Sequence, residues 1–284
     1  MTDETAGSPK DTHYAKLRRA HRDAKRAGSG TAPRRGKGEP TPGRAAAPGR
    51  IWLYGLHTVE AALNNPRRRL HRLLVTRNAL ARLDIAEGDL PCPHEIAEPR
   101  ALVAELGSEA VHQGVALETE PLSAKRLGEL SGATLVLVLD QVTDPHNVGA
   151  ILRSATAFAA DAVVTTTRHS PQESGVLAKA ASGALEYVTQ IEVRNLAEAL
   201  EELAEHGFAT IGLDSEGPET FEESLAGEKL AIVLGAEGKG LRQKTRATVT
   251  KLARLPMPGA IHSLNVSNAA AIALYAARRH LGDL

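Results

Sequence analysis

Three short stretches carry residues that ordinary turns do not need. The first runs Asp140-Gln141-Val142-Thr143-Asp144-Pro145-His146-Asn147-Val148-Gly149 and leads toward Arg153. Asp144 can cap a following helix and Pro145 can take its first position, so those two have a structural explanation. Asn147 and Arg153 are left over. At ~100° per residue they are turned about 240° net from one another, so a site using both would lie over the helix's amino-terminal end. The plain alternative for Arg153 is a solvated charge. The second stretch, Leu234-Gly235-Ala236-Glu237-Gly238-Lys239-Gly240-Leu241, invites a phosphate cradle with four residues between Gly235 and Gly240, but Leu241 stands where Lys is needed, which disfavours ATP. No G-x-G-x-x-G follows the first strand of this region, which disfavours a nicotinamide cofactor. The third stretch, Leu255-Pro256-Met257-Pro258-Gly259 through Ser263-Leu264-Asn265-Val266-Ser267-Asn268, precedes a long Ala-rich segment. Leu255, Met257 and Leu264 offer an apolar wall for a ligand. Helix capping accounts for one of Ser263, Asn265, Ser267 and Asn268, not for all four.

The elements that must position these stretches are legible in the hydrophobic pattern. Apolar runs at 135–139, 162–165, 209–213 and 230–234, with weaker ones at 187–193 and 248–255, alternate with helical spacing such as Ile151, Leu152, Ala155 and Phe158. That alternation predicts an α/β domain over 134–284 with a mostly parallel sheet covered on both faces. Each of the three stretches then falls at the carboxyl end of a strand, the edge where such sheets bind ligands. Upstream, strands at 51–54 and 70–76, helices at 58–63 and 100–106 and a closing strand at 113–117 make a small α/β unit over 50–120. Residues 121–133 read as a linker with one short helix.

The chain of 284 residues is formally neutral, but residues 1–50 hold twelve Lys or Arg against five Asp or Glu. The remainder is correspondingly acidic. Few large apolar side chains occur in 1–49, and its second half is rich in Gly, Pro and Ala, so this basic segment is expected to be a disordered tail. Neutralising RNA phosphates would give such an arm a use; a solvated terminus or a targeting segment is the alternative. A single cysteine, Cys92, excludes an internal disulfide and lacks companions for a metal site, so a reducing, cytoplasmic setting without metal is expected. No stretch approaches the ~18 apolar residues of a membrane span. An aromatic content of 3% argues against reading RNA by stacking on a sheet surface.

Taken in order, Asp144-Pro145-His146-Asn147-Val148-Gly149 with Arg153, Leu234-Gly235-Ala236-Glu237-Gly238, and Leu255-Pro256-Met257-Pro258-Gly259 leading to Ser263-Leu264-Asn265-Val266 resemble the three motifs of the SpoU/TrmH methyltransferases. The upstream unit, with Tyr54-Gly55-Leu56-His57-Thr58-Val59 and Val111-His112-Gln113-Gly114, resembles the amino-terminal RNA-binding domain of the RlmB subgroup, which methylates a guanosine ribose in 23S ribosomal RNA. The resemblance implies a SPOUT fold with a deep trefoil knot, an S-adenosylmethionine pocket lined by Gly235, Leu255, Met257 and Leu264, and a homodimer. It places Asn147, Arg153, Glu237, Ser263 and Asn265 around the reacting ribose, with ribosomal RNA or its assembly intermediate as partner. Rival readings are a tRNA ribose methyltransferase, whose family usually has shorter extensions, a resistance methyltransferase acting on a different ribosomal RNA loop, and a non-catalytic assembly factor, which would not need all of Asn147, Arg153, Glu237 and Ser263.

Overall fold

The computed structural model describes residues 42–282. Most of the segment expected to be a basic tail, residues 1–41, lies outside them. From Pro42 onward the chain already lies against the small unit. Pro42 bridges Gly107, the Arg44 amide donates to the Ala104 carbonyl at 3.2 Å and Ala46 packs beside Trp52. A Pro- and Gly-rich composition does not prevent docking when a neighbouring helix end offers unpaired carbonyls.

The small unit runs β1 (Ile51–Tyr54), α1 (Leu56–Leu63), β2 (Leu70–Val75), α2 (Arg77–Leu80), β3 (His94–Ile96), α3 (Pro99–Leu106) and β4 (Val115–Thr119). Its sheet order is β1-β4-β2-β3, with β4 antiparallel to both neighbours and β3 parallel to β2. Strand alternation sends Leu53, Leu73 and Leu117 to one face under α1 and Trp52, Leu74 and Ala116 to the other under α3. Cys92 is buried, and burial pushes its thiol pKa up, which keeps it protonated and unreactive.

The larger unit continues with β5 (Leu135–Asp140), α4 (Pro145–Ala157), β6 (Ala162–Thr166), α5 (Gly175–Ala181), β7 (Thr189–Val193), α6 (Leu196–Glu205), β8 (Ala209–Leu213), β9 (Glu219–Thr220), α7 (Phe221–Ser224), β10 (Leu230–Gly235), α8 (Gln243–Thr248), β11 (Lys251–Arg254) and α9 (Val266–Leu281). Its seven strands are all parallel, in the order β7-β6-β5-β10-β8-β11-β9. Leu135, Leu137 and Leu139 pack into the core on the side of α4, α5 and α9, while Val136 and Val138 pack on the side of α6. Each such buried side chain contributes roughly 1.5–3 kcal/mol. The chain winds outward from β5 to β7, crosses to β8, and returns to insert β10 between β5 and β8. That insertion is the topological switch at which a sheet of this kind opens a crevice. Among the described residues no helix is long and apolar enough to cross a membrane.

The two units meet through a buried polar cluster. Arg68, with no exposed side-chain surface, donates to Glu186 at 2.5 and 3.1 Å, to Glu173 at 2.6 Å and to the Glu120 carbonyl at 3.1 Å. Asn65 adds a bond to Glu186 at 2.7 Å. Burial raises the Glu173 carboxyl above its ordinary pKa, against the pull of Arg68 and of the Leu122 amide. A second contact lies at the other end of α1. Lys179 of α5 donates to Gln113 Oε1 at 2.6 Å, and the same oxygen accepts from the Leu56 amide at 3.2 Å. Gln113 thus supplies the cap that Gly55 cannot give α1.

Candidate functional site

The loops that follow β8, β10 and β11 converge at the carboxyl edge of the sheet around a cavity of about 370 Å³. Gly235, Glu237, Leu255, Met257, Ser263 and Leu264 line it. Asn147 and Asn265 are absent from its wall but stand at its rim. The Asn265 amide nitrogen donates to Asn147 Oδ1 at 3.0 Å, and the Asn147 amide nitrogen donates to Glu237 Oε2 at 3.3 Å. One chain of hydrogen bonds therefore joins the three stretches singled out in the sequence.

Each member is held by local geometry. Asp144 caps α4 through the His146 amide at 3.0 Å, and Pro145 occupies the first turn, so Asn147 projects from the helix start. Asn265 is the cap of α9. Its Oδ1 accepts from the Ser267 amide at 2.9 Å and from the Ser267 hydroxyl at 2.6 Å, which leaves its NH2 group for Asn147. The glycine stretch is a tight reversal in which the Gly240 amide donates to the Ala236 carbonyl at 2.8 Å. A side chain at Gly235 would collide with the backbone of Gly240 and Leu241, and Gly240 has φ +65°, so this close approach requires glycine at both positions. The loop is anchored to the sheet by Asp140, fully buried at the end of β5, which accepts from the Arg242 amide at 3.0 Å and from Arg242 Nε at 2.6 Å.

Arg153 stands apart. It lies on an exposed face of α4, nearly two turns beyond Asn147, and makes no hydrogen bond or ion pair among the described residues. The 240° offset between the two positions has that consequence on one helix.

Sequence reasoning missed the loop after β8. Asp214, Ser215 and Glu216 line the same cavity, and Arg246 reaches across it to pair with Asp214. Strand β8 was legible, and the rule that ligands bind at the carboxyl edge pointed to its following loop as well. Lys239 and His262 also line the cavity. Among the described residues no group of three or more His, Cys, Asp or Glu is placed to hold a metal ion.

A parallel α/β sheet with a switch-point pocket, fed by these three linked stretches, defines a class of RNA-modifying methylases. Residues 134–275 match the SpoU rRNA methylase family, and residues 52–124 match the RNA 2′-O ribose methyltransferase substrate-binding family. The chain belongs to the SpoU family. It is 39% identical over 245 residues to the 23S rRNA (guanosine-2′-O-)-methyltransferase RlmB of Pseudomonas putida, covering 80% of this chain and 95% of that one. The RlmB of Escherichia coli is 36% identical, with 80% of this chain and 97% of the relative covered. Among solved structures, the SpoU methyltransferase AviRb from Streptomyces viridochromogenes in complex with AdoMet superposes with a TM-score of 0.68 at 22% identity, over 81% of this chain and 90% of that one. An RNA 2′-O ribose methyltransferase superposes with a TM-score of 0.67 at 25% identity, over 82% of this chain and 89% of that one.

Proposed function

We propose that the chain transfers the methyl group of S-adenosylmethionine to the 2′-hydroxyl of a guanosine ribose in 23S ribosomal RNA. The observation that carries this reading is the Asn265–Asn147–Glu237 hydrogen-bond chain at the mouth of the cavity. The assignment to 23S RNA and guanosine comes from the RlmB relatives, which align over nearly their whole length. The cavity fits the donor. Its volume of about 370 Å³ is in the range of small-molecule sites, and Leu234, Leu255, Met257 and Leu264 give apolar cover beside the polar Asp214–Glu216 loop.

When bound, S-adenosylmethionine supplies an electrophilic methyl group. The residues of this chain then need only position and polarise the ribose hydroxyl, which can lower much of the barrier. Asn265, Ser263 and Glu237 are placed at the rim to orient it. The role of Arg153 is to hold phosphate and stabilise the developing alkoxide, since a guanidinium donates hydrogen bonds and accepts none. Because Arg153 lies away from the cavity in one chain, substrate must bridge to it or a second copy must bring it near. A homodimer is the second route. It is supported by Ile272 and Tyr275, which leave apolar surface exposed on α9. The deep trefoil knot of the SPOUT fold is supported by the return from β11, on the far side of β8, to α9, which packs on α4 and β10. The reading places the protein in the cytoplasm, where ribosomal RNA is modified.

The test is transfer of labelled methyl to undermethylated 23S and 16S ribosomal RNA and to tRNA, with mapping of the modified ribose. Label at one guanosine of 23S RNA is expected. Label in tRNA would overturn the substrate, and absence of donor binding would overturn the enzyme and leave an RNA-binding assembly factor.

A further inference from the structure

The small unit carries a groove of about 390 Å³ that shares no residue with the methyl-transfer cavity. It opens where β2 ends, between α2 and the turn that precedes β4, and its working residues are Arg77, Asn78, Ile96, Pro99, His112 and Gln113.

Its chemistry is specific. The Asn78 amide and the Arg77 guanidinium are exposed and make no hydrogen bond or ion pair among the described residues. His112 Nδ1 accepts from the Gly114 amide at 3.0 Å, so the neutral imidazole carries its proton on Nε2 and presents a donor. Burial lowers the His112 pKa, which favours that neutral form. Ile96, 40% exposed on the edge strand β3, and Pro99 give an uncharged apolar surface. Glu98 also lines the groove and makes it a poor seat for a bare phosphate. An amide with paired donor and acceptor, a neutral N–H and an apolar ledge together match the edge and face of a nucleobase. A guanidinium to one side matches the adjoining phosphate.

The groove is also coupled to the larger unit. Gln113 adopts a left-handed backbone conformation, φ +57°, which a non-glycine residue rarely holds. That conformation accompanies the bonds that Gln113 Oε1 accepts from the Leu56 amide and from Lys179 of α5. A base seated here would be held at a fixed position relative to the methyl-transfer unit.

We propose that this groove takes one unpaired nucleobase of the RNA substrate, outside the modified nucleotide, with Asn78 and His112 reading its edge and Ile96 and Pro99 supporting its face. The inference rests on the RNA-methyltransferase reading and assigns a second contact point to the same substrate. Sequence reading of RNA works on splayed, unpaired bases, which is what such a groove admits.

The test measures RNA KM, donor affinity and melting temperature of the full chain carrying Asn78→Ala, His112→Asn or Arg77→Ala. Asn78→Ala and His112→Asn are each expected to raise the RNA KM roughly fivefold, the worth of one hydrogen bond. Donor affinity and melting temperature should stay at wild-type values. The salt dependence of RNA binding should be unchanged for these two, whereas Arg77→Ala should reduce its slope by about one. A wild-type KM in Asn78→Ala, whose exposed side chain has no part in folding, would overturn the groove while wild-type turnover keeps the methyltransferase reading. Failure of the wild-type chain to bind or methylate RNA would instead remove the reading on which the groove depends.

Discussion

Two polar clusters tie together segments more than a hundred residues apart, and they follow opposite rules. The cluster at the unit junction spans Asn65 to Glu186, a separation of 121 residues. The one at the cavity rim spans Asn147 to Asn265, a separation of 118. At the junction every guanidinium nitrogen of Arg68 has a partner, and the side chains of both carboxylates are at most 8% exposed. At the rim Glu237 is exposed and receives a bond on only one oxygen among the described residues, and Ser263 stands open to solvent. A saturated, dry network holds geometry, because any change leaves a buried charge without compensation. An open, partly satisfied one keeps capacity for a ligand.

The contrast is most sharply broken by Arg68→Met. That change leaves Glu173 and Glu186 buried without a counter-charge and should cost about 3–5 kcal/mol of stability in chemical denaturation. A wild-type midpoint would show that the junction holds nothing. Arg153→Ala should do the reverse: melting unchanged, donor binding intact, methyl transfer down roughly a hundredfold or more. Normal turnover would exclude Arg153 from the site. Replacing Leu264 by Glu places a charge on the apolar wall and should weaken donor binding about tenfold or more by calorimetry, while unchanged affinity would put the donor elsewhere.

The smallest expected effect is a pH dependence at the junction. Because burial raises the Glu173 carboxyl, its contribution to stability is complete below the ordinary carboxylate range and is lost as pH rises through the raised value. Glu173→Gln mimics the protonated acid. Its melting temperature relative to wild type should climb as pH is taken from about 4 to about 7. A difference independent of pH would disconnect Glu173 from the junction's stability.

The same contrast explains what the sequence disclosed. Asp144-Pro145 announced a helix start, so the position of Asn147 in the first turn of α4 was readable from spacing alone. Strands β5, β6, β8 and β10 of the larger sheet were readable because they are mostly buried on both faces and appear as continuous apolar runs, whereas the two-residue β9 was not. Strand β3 was not, since its three residues are all exposed. Nor was the Arg68 cluster. Arg68, Glu173 and Glu186 each read as an ordinary charged residue, and only the docking of β1 and α1 against the larger unit makes them partners. Capping arithmetic left Ser263, Asn265, Ser267 and Asn268 in surplus. The structure accounts for two of these, with Asn265 as cap and Ser267 bonded to it.

The insertion of β10 between β5 and β8 also sets a timetable for synthesis. Leu135 pairs with Leu230, so at the usual ~5–20 residues per second the inner edge of β5 waits roughly 5–20 s for its neighbour to be made. Strand β8 fares worse, because its two neighbours, β10 and β11, both follow it in the chain. From the synthesis of β8 until that of β10 the nascent protein presents bare, apolar edges on both strands, and a ribosome-associated holdase that covers them should raise its folding yield more than its final stability.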